Sequence, residues 1–484
     1  MTTIKLDPGA ALLLDALHGA GHAAYAVGGC VRDSLLGLDP HDWDLCTSAR
    51  PEQVMELFGE EKCIPTGLQH GTVTVKQGGR LYETTTFRTE GAYSDGRHPD
   101  AVCFVPDVRE DLARRDFTIN AMAYSAEEGL IDPFGGRDDL AAHLVRAVGE
   151  PERRFEEDAL RILRLYRFAA RFGFAIDPTT GAAARALGPH LDCVSAERIQ
   201  EELLKLLAAP RPGSYLEPAV LAVVLPELEP EKQPERFAEL CRTIDRIEPT
   251  AENVPARLAA LLCPLGEAGA RKALRKLKCS NALTDEVTAL EREAGGGAGS
   301  FLLPRSRDRW AGSSSEDRPL GWDPAAAGGR AGDGMACNSN DRRQWRMQEV
   351  AVGAAASDTQ AMRSGCWEPQ PELVSDQTLM AKRLLGRYEL PTIQRLTALC
   401  SARHPEQAGA FAALRAEAEQ LTAENACCRV SQLAVNGRDL MAAGVRPGPG
   451  LRQVLNTLLE AVITGQIPNE KDALLAAAAQ FSAS

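Results

Sequence analysis

Residues 28–47 read GGCVRDSLLGLDPHDWDLCT, and this stretch decides the fold of the N-terminal part of the chain. An apolar strand ends at Gly28 and Gly29, a helical turn follows, and a second strand is predicted around Asp42 and Asp44. Residues i and i+2 of a strand point to the same face, roughly 6.5–7 Å apart along the chain. The two carboxylates are therefore predicted to lie side by side, near a glycine turn.

Each part of this stretch suits the binding of a nucleoside triphosphate. Asp42 and Asp44 can hold divalent cations that bridge an attacking hydroxyl and a triphosphate. Mg²⁺ suits such a site, because it takes few protein carboxylates and completes its shell with phosphate and water oxygens. Gly28 and Gly29 let backbone N–H groups approach phosphates, and Arg32 can pair with phosphate oxygens. A lone Asp-x-Asp or Gly-Gly is common in turns, so the order and spacing carry this prediction.

The surrounding residues 1–147 predict a mixed α/β domain. Two Thr- and Val-rich runs flank Gln77-Gly78-Gly79-Arg80, which is the signal of a β-hairpin. The other elements predicted are strands at 23–27, 42–46 and 102–105, and helices at 31–36, at 51–58 and from about Glu110 to Tyr124.

A helical period begins at Arg153 and predicts one buried stripe along a single helix. Phe172-Gly173-Phe174 ends this helix, Ser195 begins another that runs through Leu206, and helical patterns continue to about Glu293. The apolar positions of the stripe are Phe155, Ala159, Ile162, Tyr166 and Ala169.

Glu157, Asp158 and Arg161 are the candidates for choosing the base of the nucleotide. Asp158 and Arg161 are three residues apart on the predicted helix, so their side chains are neighbours. A carboxylate accepts from the exocyclic amine of cytosine or adenine, and a guanidinium donates to the adjoining ring nitrogen or carbonyl. G and U present the opposite polarity, and a wrong base leaves buried charges unpaired. The spacing alone would equally fit a surface ion pair.

Further polar residues extend the candidate nucleotide site. Arg115 and Asp116 offer a charged pair to the sugar and phosphates, and Asn120, one predicted helical turn later, can support the same site. Arg164 and Arg167 add positive charge that can attract phosphate groups.

The charge of the chain limits how it can bind nucleic acid. The formal net charge is −13, so any RNA binding must use local basic patches against an acidic background. One such patch is predicted in the middle of the chain, where it either contacts RNA phosphates or forms an ordinary solvated face. Its residues are Arg271, Lys272, Arg275 and Lys276.

Residues 295–370 depart from the rest of the sequence. This segment holds four of the five tryptophans and has no lasting strand or helix period. It is predicted to be either a disordered linker or the product of a shifted reading frame, and no functional residue is expected in it. Helical order is predicted to return by about Asp376, and a helix near the C-terminus is predicted to end at Gly465.

The cysteine pattern and the hydropathy favour a cytoplasmic protein. The 13 cysteines include no C-x-x-C pair, which predicts reduced, mostly buried thiols and no structural zinc site. No run of about 18 apolar residues occurs, so no membrane span is expected.

The chain resembles a known family at the motifs described above. Residues 28–47 resemble the signature of DNA polymerase β-like nucleotidyltransferases, and more narrowly that of bacterial class II tRNA nucleotidyltransferases (CCA-adding enzymes) and related poly(A) polymerases. About the first 210 residues are closely similar. Further similar stretches are RRDFTINAMAY at 114–124, IDPFGGRDDL at 131–140, EDALRILRLYRFAARFGF at 157–174, SAERIQEELLKLL at 195–207, and residues 436–475.

The resemblance implies roles for individual residues. It implies that Asp42 and Asp44 bind the catalytic metals, that Glu83 on the neighbouring strand is a third carboxylate, and that Asp116 reads the ribose 2′-hydroxyl. It also implies that Arg164 and Arg167 lie near the nucleotide.

By the same resemblance the fold class is α+β, with a polymerase β-like nucleotidyltransferase head and an all-helical neck, body and tail. The expected ranges are 1–147 for the catalytic head, 148–210 for the neck, 211–294 for the body and 371–484 for an RNA-binding tail. The implied reaction is template-independent addition of CCA to tRNA from CTP and ATP with Mg²⁺. Poly(A) polymerase, partial CC- or A-adding activity, and a non-catalytic RNA-binding relative stay as alternatives.

Overall fold

The computed structural model describes residues 3–91, 102–295 and 375–481. The anomalous segment predicted at 295–370 lies, apart from its first residue, outside these ranges.

The N-terminal part is built on a mixed seven-stranded sheet. Its strands are β1 (Ala24–Val27), β2 (Leu45–Thr47), β3 (Cys63–Gly67), β4 (Thr72–Gln77), β5 (Arg80–Thr86), β8 (Ala123–Ser125) and β9 (Gly129–Ile131). Their order across the sheet is β3-β4-β5-β2-β1-β8-β9. β2 and β5 run parallel, and the other neighbours in this sheet run antiparallel.

Two short sheets complete the described β structure. One pairs β6 (Arg88–Glu90) with β7 (Val102–Phe104), and the other pairs β10 (Leu144–Val145) with β11 (Ala175–Ile176).

The predicted hairpin between β4 and β5 is confirmed. Gln77 lies opposite Arg80, and Gly78 and Gly79 both have positive φ, 58° and 80°. A two-residue turn of this kind needs positive φ at both central positions, which glycine adopts without strain. The turn therefore sets the register of β5, which carries Glu83.

Apolar side chains cover the central strands of the sheet on both faces. Along β1, Ala24 and Ala26 face the main core, whereas Tyr25 and Val27 belong to a smaller cluster on the other side. All four residues are buried. The short apolar run before the glycine pair therefore belongs to a central strand rather than an edge strand.

Helices make up most of the remaining head. They are α1 (Pro8–Gly19), α2 (Gly29–Leu35), α3 (Pro51–Phe58), α4 (Val108–Ala113) and α5 (Gly136–Ala141). The predictions for 31–36 and 51–58 are confirmed within about two residues.

The helix predicted from about Glu110 to Tyr124 is wrong. α4 ends at Ala113, the chain becomes extended at Phe117, a 3₁₀ turn spans Thr118–Asn120, and β8 follows. The carboxylate of Asp116 accepts from the backbone N–H of Phe117 and from the side chain of Asn120. These local bonds compete with helical backbone bonds, and they place both polar side chains in the site.

The remaining helices follow from residue 151 onward. They are α6 (Pro151–Glu157), α7 (Leu160–Phe172), α8 (Pro178–Ala186), α9 (Ala196–Leu207), α10 (Pro218–Val224), α11 (Pro234–Arg246), α12 (Val254–Leu262), α13 (Gly266–Lys276), α14 (Asn281–Gly295), α15 (Asp376–Arg387), α16 (Leu390–Arg403), α17 (Ala408–Ala423), α18 (Gly437–Ala442), α19 (Pro449–Ile463) and α20 (Lys471–Phe481).

The single helix predicted from Arg153 to Phe172 is interrupted. The predicted stripe is buried at all five positions, but Asp158 has φ −148° and ψ 102° and separates α6 from α7. Its carboxylate accepts from the backbone N–H of Leu160, which starts the next helix. The spacing predicted that Asp158 and Arg161 are neighbours on one helix. In the structure they are not, because Asp158 precedes α7 and Arg161 lies within it.

Two helix boundaries agree with the sequence. Ser195 precedes α9, and Gly465, with φ 75°, follows α19 as a glycine suited to a helix end.

One hydrophobic core runs from α1 to α17, whereas residues 433–478 form a separate core in the tail. The eleven cysteines in the described ranges are free thiols. In the same ranges, no helix is both long and apolar enough to cross a lipid bilayer.

Candidate active site

The acidic residues of the site meet at the parallel pair β2 and β5. Leu45 lies opposite Thr84, so one residue earlier Asp44 lies beside Glu83 on the same face of the sheet. The backbone N–H of Val27 donates to the carbonyl of Asp44 at 2.9 Å, which continues the strand pairing to this residue. Asp42 lies two residues before Asp44. β2 itself begins at Leu45, later than predicted.

Negative charge is crowded around Asp44. Asp44 is exposed, but the protein around its carboxylate displaces part of the hydrating water, which raises its pKa to about 6; the Glu83 and Asp42 carboxylates add to this, and Arg115 opposes it. In the described ranges, no group of three or more carboxylate, histidine or cysteine side chains is arranged so that it could hold a metal ion. The oxygen donors and the crowded charge still fit a divalent ion that takes its other ligands from triphosphate and water.

Gly28 is required by the close approach of an arginine. It has φ 79°, and a side chain there would place Cβ 2.7 Å from Nη1 of Arg115. The Arg115 guanidinium also lies 3.6 Å from Asp111. It therefore lies between the glycine turn and Asp111 of α4, and its charge also acts on Asp44, so it can meet a phosphate there. Gly29 is the first residue of α2.

Arg32 lies behind this surface rather than on it. Its side chain is 4% exposed, it donates to Asp33 and Asn120, and its guanidinium lies 4.8 Å from the centre of the Phe172 ring. Burial lowers its pKa, although Asp33 opposes the effect. In this structure Arg32 orients Asn120, and its contact with phosphate stays a prediction.

Asp116 has a full set of hydrogen bonds. Oδ1 accepts from the backbone of Phe117 (2.8 Å) and from Asn120 (3.0 Å), and Oδ2 accepts from Nε and Nη2 of Arg164 (2.9 and 2.6 Å). Burial alone would raise the pKa of this carboxyl, but Arg164 and Asn120 outweigh burial and hold the pKa far below its usual value. Asp116 is therefore a fixed anion at the edge of the cavity.

A cavity of about 270 Å³ opens beside Asp116. Five of its eight lining residues were predicted from sequence: Arg115, Asp116, Asp158, Arg161 and Arg164. The sequence analysis missed the other three, which are Arg114, Leu160 and Arg198. Five arginines and two aspartates around one cavity suit an anionic ligand with a polar base.

Of the three predicted base-choosing residues, Asp158 and Arg161 line this cavity, and each of the two forms an ion pair with another residue. Asp158 pairs with Arg198 at 2.8 Å, and Arg161 pairs with Glu157 at 2.8 Å. Asp158 and Arg161 therefore do not form the ion pair that their spacing alone would fit, although both line the cavity. The break between α6 and α7 is the physical reason, because it turns Asp158 towards α9.

Nearly the whole chain can be aligned with known proteins. The CCA-adding enzyme of Limosilactobacillus fermentum is 33% identical over 478 residues, which is 97% of this chain and 96% of that enzyme. The CCA-adding enzyme of Lactobacillus helveticus is 43% identical over 277 residues, covering 57% of this chain and 68% of that enzyme.

The chain belongs to the CCA-adding enzyme family. Family models match in three places: a poly A polymerase head domain at 24–146, an RNA- and SrmB-binding site of polymerase A at 173–231, and tRNA nucleotidyltransferase domain 2 at 387–478.

Solved structures of CCA-adding enzymes share the fold. The Bacillus stearothermophilus enzyme in complex with CTP has a TM-score of 0.69 at 29% identity, with 98% of each chain covered. The Thermotoga maritima enzyme complexed with tRNA has a TM-score of 0.60 at 20% identity, with 98% of this chain and 96% of that chain covered. The α+β fold class, with a mixed-sheet head followed by helices, is confirmed.

Within this member of the CCA-adding enzyme family, α9 contributes a buried carboxylate that the sequence analysis missed. Glu202 accepts from Nε of Arg167 at 2.6 Å and lies 3.9 Å from Arg164. The Arg167 guanidinium also stacks on Phe168, 4.0 Å from the centre of the ring. Glu202 thus holds both arginines that the family resemblance placed near the nucleotide.

A local signal for Glu202 was present. α9 buries Ile199, Leu203 and Leu206, and Glu202 falls three residues after the first of these. A carboxylate inside an apolar stripe requires a buried partner, so it could have been singled out. Arg198 had no such signal, since its partner lies 40 positions earlier in the chain.

The basic patch predicted for RNA lies on α13. Lys272, Arg275 and Lys276 are exposed, whereas Arg271 pairs with Asp285 at 3.0 Å and donates to Thr288. Its RNA role stays a prediction.

Proposed function

We propose that this chain adds CCA to the 3′ end of tRNA, using CTP and ATP without a nucleic-acid template. The observation that carries the proposal is the full-length match to CCA-adding enzymes together with an arginine-lined cavity next to paired carboxylates. The L. fermentum relative is named for this activity, and the B. stearothermophilus relative was solved with CTP.

In this proposal Asp42, Asp44 and Glu83 hold the catalytic cations, for which Mg²⁺ is the natural choice. Bound there, Mg²⁺ would supply positive charge to the attacking and leaving oxygens. The RNA 3′-hydroxyl oxygen attacks the α-phosphorus in line and loses its proton, and pyrophosphate leaves with the electrons of the broken P–O bond. Arg115, above Gly28, orients the triphosphate.

The ribose and base contact the other side of the cavity. Asp116 is proposed to accept from the ribose 2′-hydroxyl, with Asn120 as its support. Because Asp116 already accepts four hydrogen bonds, one of the Arg164 bonds must lengthen when the ribose binds. Arg164 and Arg167 add positive charge nearby.

Base choice is assigned to Asp158 and Arg161, with Glu157 holding Arg161 in place. Asp158 accepts from the exocyclic amine of cytosine or adenine, and Arg161 donates to the adjoining ring position. An unpaired carbonyl of uracil or guanine would face the Asp158 carboxylate and be rejected.

RNA binding is proposed for α13 and for the tail. Lys272, Arg275 and Lys276 present a positive face for phosphates, and Arg271 borders it. We assign residues 1–147, 148–210, 211–294 and 371–484 to head, neck, body and tail, and we place the reaction in the cytoplasm, where tRNA is the substrate.

The direct test is extension of a tRNA transcript that lacks its terminal CCA. The protein is incubated with Mg²⁺ and CTP, ATP or both, and the products are sequenced. Two C residues followed by one A, with no further growth, support the proposal. Addition of C alone, A alone or a long A tail would assign the chain to a sister activity, and no extension by folded protein would leave a non-catalytic RNA-binding role.

A further inference from the structure

Asp158 is held by a partner outside its own segment. Oδ1 accepts from the backbone N–H of Leu160 at 3.1 Å, and Oδ2 accepts from Nη2 of Arg198 at 2.8 Å. Asp158 and Arg198 both line the cavity. The carboxylate is thus anchored at both oxygens, and a carboxylate has about four acceptor positions, so capacity remains for a base.

Arg161 has little freedom to orient Asp158. Its Nη1 donates to Glu157 (2.8 Å) and to the Arg154 carbonyl (3.2 Å), and its Nη2 donates to the Arg114 carbonyl (3.2 Å). These bonds fix Arg161 against α6 and the end of α4. The cation that faces Asp158 is instead Arg198, one turn before Glu202 on α9.

We infer that Arg198 is a positioning residue for base choice, which keeps the Asp158 carboxylate turned into the cavity as a hydrogen-bond acceptor. The inference rests on the proposed function. An anchored, ionised carboxylate accepts from the amine of cytosine or adenine and repels the carbonyl of uracil or guanine. Without Arg198 one oxygen loses its charged partner, and the side chain can rotate away from the extended backbone at this position.

The helix that carries Arg198 makes the contact rigid. Glu202 on the same face bonds Arg167 at 2.6 Å, and Ile199 and Leu203 are buried beside them. α9 therefore presents a cation to Asp158 and an anion to the arginines of α7 from one buried surface. One helix therefore holds Asp158 through Arg198 and lies beside Arg164 through Glu202, and Asp158 and Arg164 both line the cavity.

The test compares three variants in single additions to a tRNA transcript lacking CCA, with CTP and with UTP. Arg198→Met removes the charge and keeps the length, Arg198→Lys restores the charge, and Lys205→Met makes the same charge change on α9 outside the cavity. Lys205 pairs with Glu201 at the surface. The readout is the ratio of kcat/KM for CTP to kcat/KM for UTP, with kcat and KM recorded separately.

We expect Arg198→Met to reduce this ratio by about 10- to 100-fold, which is the size expected for a lost charge-assisted hydrogen bond. Arg198→Lys should recover part of it, and Lys205→Met should match the wild type. An equal slowing with both nucleotides, or an unchanged ratio, overturns the inference while leaving the proposed function intact. Failure of the wild type to extend tRNA overturns both. If Arg198→Met does not fold, Arg198→Gln gives the same comparison.

Discussion

Asp44 and Asp116 have opposite electrostatic environments within one site. The surrounding protein and the neighbouring carboxylates raise the pKa of Asp44 to about 6, whereas Arg164 and Asn120 hold the pKa of Asp116 far down. Arg115 therefore compensates the charge of Asp44 only in part, whereas Arg164 fully pairs that of Asp116. This contrast matches their proposed partners, a divalent ion and a sugar hydroxyl.

Replacing Asp44 by Asn is expected to reduce nucleotide transfer by more than about 100-fold, because the change removes a charged oxygen ligand at the reacting phosphate. The fold should be retained, since the change relieves repulsion from Glu83. Transfer is measured by primer extension and folding by thermal melting. Asp15→Asn, at an exposed position of α1, is the control, and near-normal transfer by the Asp44 variant would disprove the metal assignment.

Asp116→Asn is expected to lower the free energy of unfolding by about 2 kcal/mol at pH 7, because Arg164 loses a charge-assisted partner. The folded pKa of Asp116 lies below its unfolded value near 3.8, so its stabilisation is present above about pH 4 and is lost as the pH falls further. Urea denaturation of both proteins at pH 7 and pH 3 measures this. A difference that is the same at both pH values would contradict the pKa assignment.

Helices, strands and turns were predicted correctly where neighbouring residues determine them. They were predicted less well where residues far along the chain take part. The glycine turn, the hairpin at Gly78 and Gly79, and the boundaries near Ser195 follow from residues close together in sequence. Local hydrogen bonds make the breaks at Asp116 and Asp158, and Arg164 and Arg198 from later helices hold the same two carboxylates in place. Hydrophobic periodicity cannot register such partners, so it predicted continuous helices there.

The same distinction applies to the candidate site. Motif residues identified five of the eight that line the cavity, because they occur in compact stretches. Arg114 and Leu160 adjoin predicted residues, and only folding shows which neighbour faces the cavity. Arg198 reaches the cavity because α9 packs on α7. For the same reason, the sequence shows no sign that Arg198 is the partner of Asp158.

The packing of α5 on the Thr118–Asn120 turn leads to a further prediction. A side chain at Gly136 would place Cβ 2.2 Å from the carbonyl oxygen of Thr118. Gly136→Ala must therefore shift the turn that carries Asn120, at a cost of about 2 kcal/mol. We expect kcat/KM for CTP to fall by about 10-fold, although Gly136 is outside the cavity lining. Gly19→Ala, which has open space, is the control.

The stability of Gly136→Ala is measured by thermal melting, and its kcat/KM by CTP addition with the same protein preparations. Loss of stability without any loss of kcat/KM would show that the Thr118–Asn120 turn does not transmit the shift to Asp116. Unchanged stability would contradict the steric argument itself.

Across the whole molecule, a buried cation joins helices that are far apart in the sequence, α9, α11 and α12. Arg257 on α12 is 0% exposed and donates to the carbonyls of Leu207, Ala209 and Ile247. These carbonyls follow the ends of α9 and α11, where helices leave acceptors unpaired. One guanidinium therefore connects the helix of Arg198 to α11 and α12.

Arg257→Met is expected to lower the free energy of unfolding by about 3 kcal/mol, because it leaves several buried carbonyls without donors. Since Arg257 is outside the cavity lining, the preference for CTP over UTP should be unchanged at low temperature. Thermal melting and the ratio of kcat/KM values are the two measurements. Arg242→Met, at an exposed position on α11, is the control. A change in nucleotide preference would contradict a purely structural role.

The net charge of −13 contrasts with the arginine-lined cavity. Repulsion from the acidic surface disfavours loose contacts with RNA, whereas the cavity attracts triphosphate locally. Nucleic acid is therefore expected to bind through defined faces such as α13 rather than through overall charge.

The parallel pairing of β2 with β5 also has a consequence for synthesis on the ribosome. Asp42 and Asp44 emerge first, but their face of the sheet is incomplete until the strand carrying Glu83 has emerged and paired. Arg198 emerges much later, and until then Asp158 lacks its charged partner. A nascent chain can therefore assemble the acidic centre well before it can distinguish one base from another, so selectivity is the last property of the site to form.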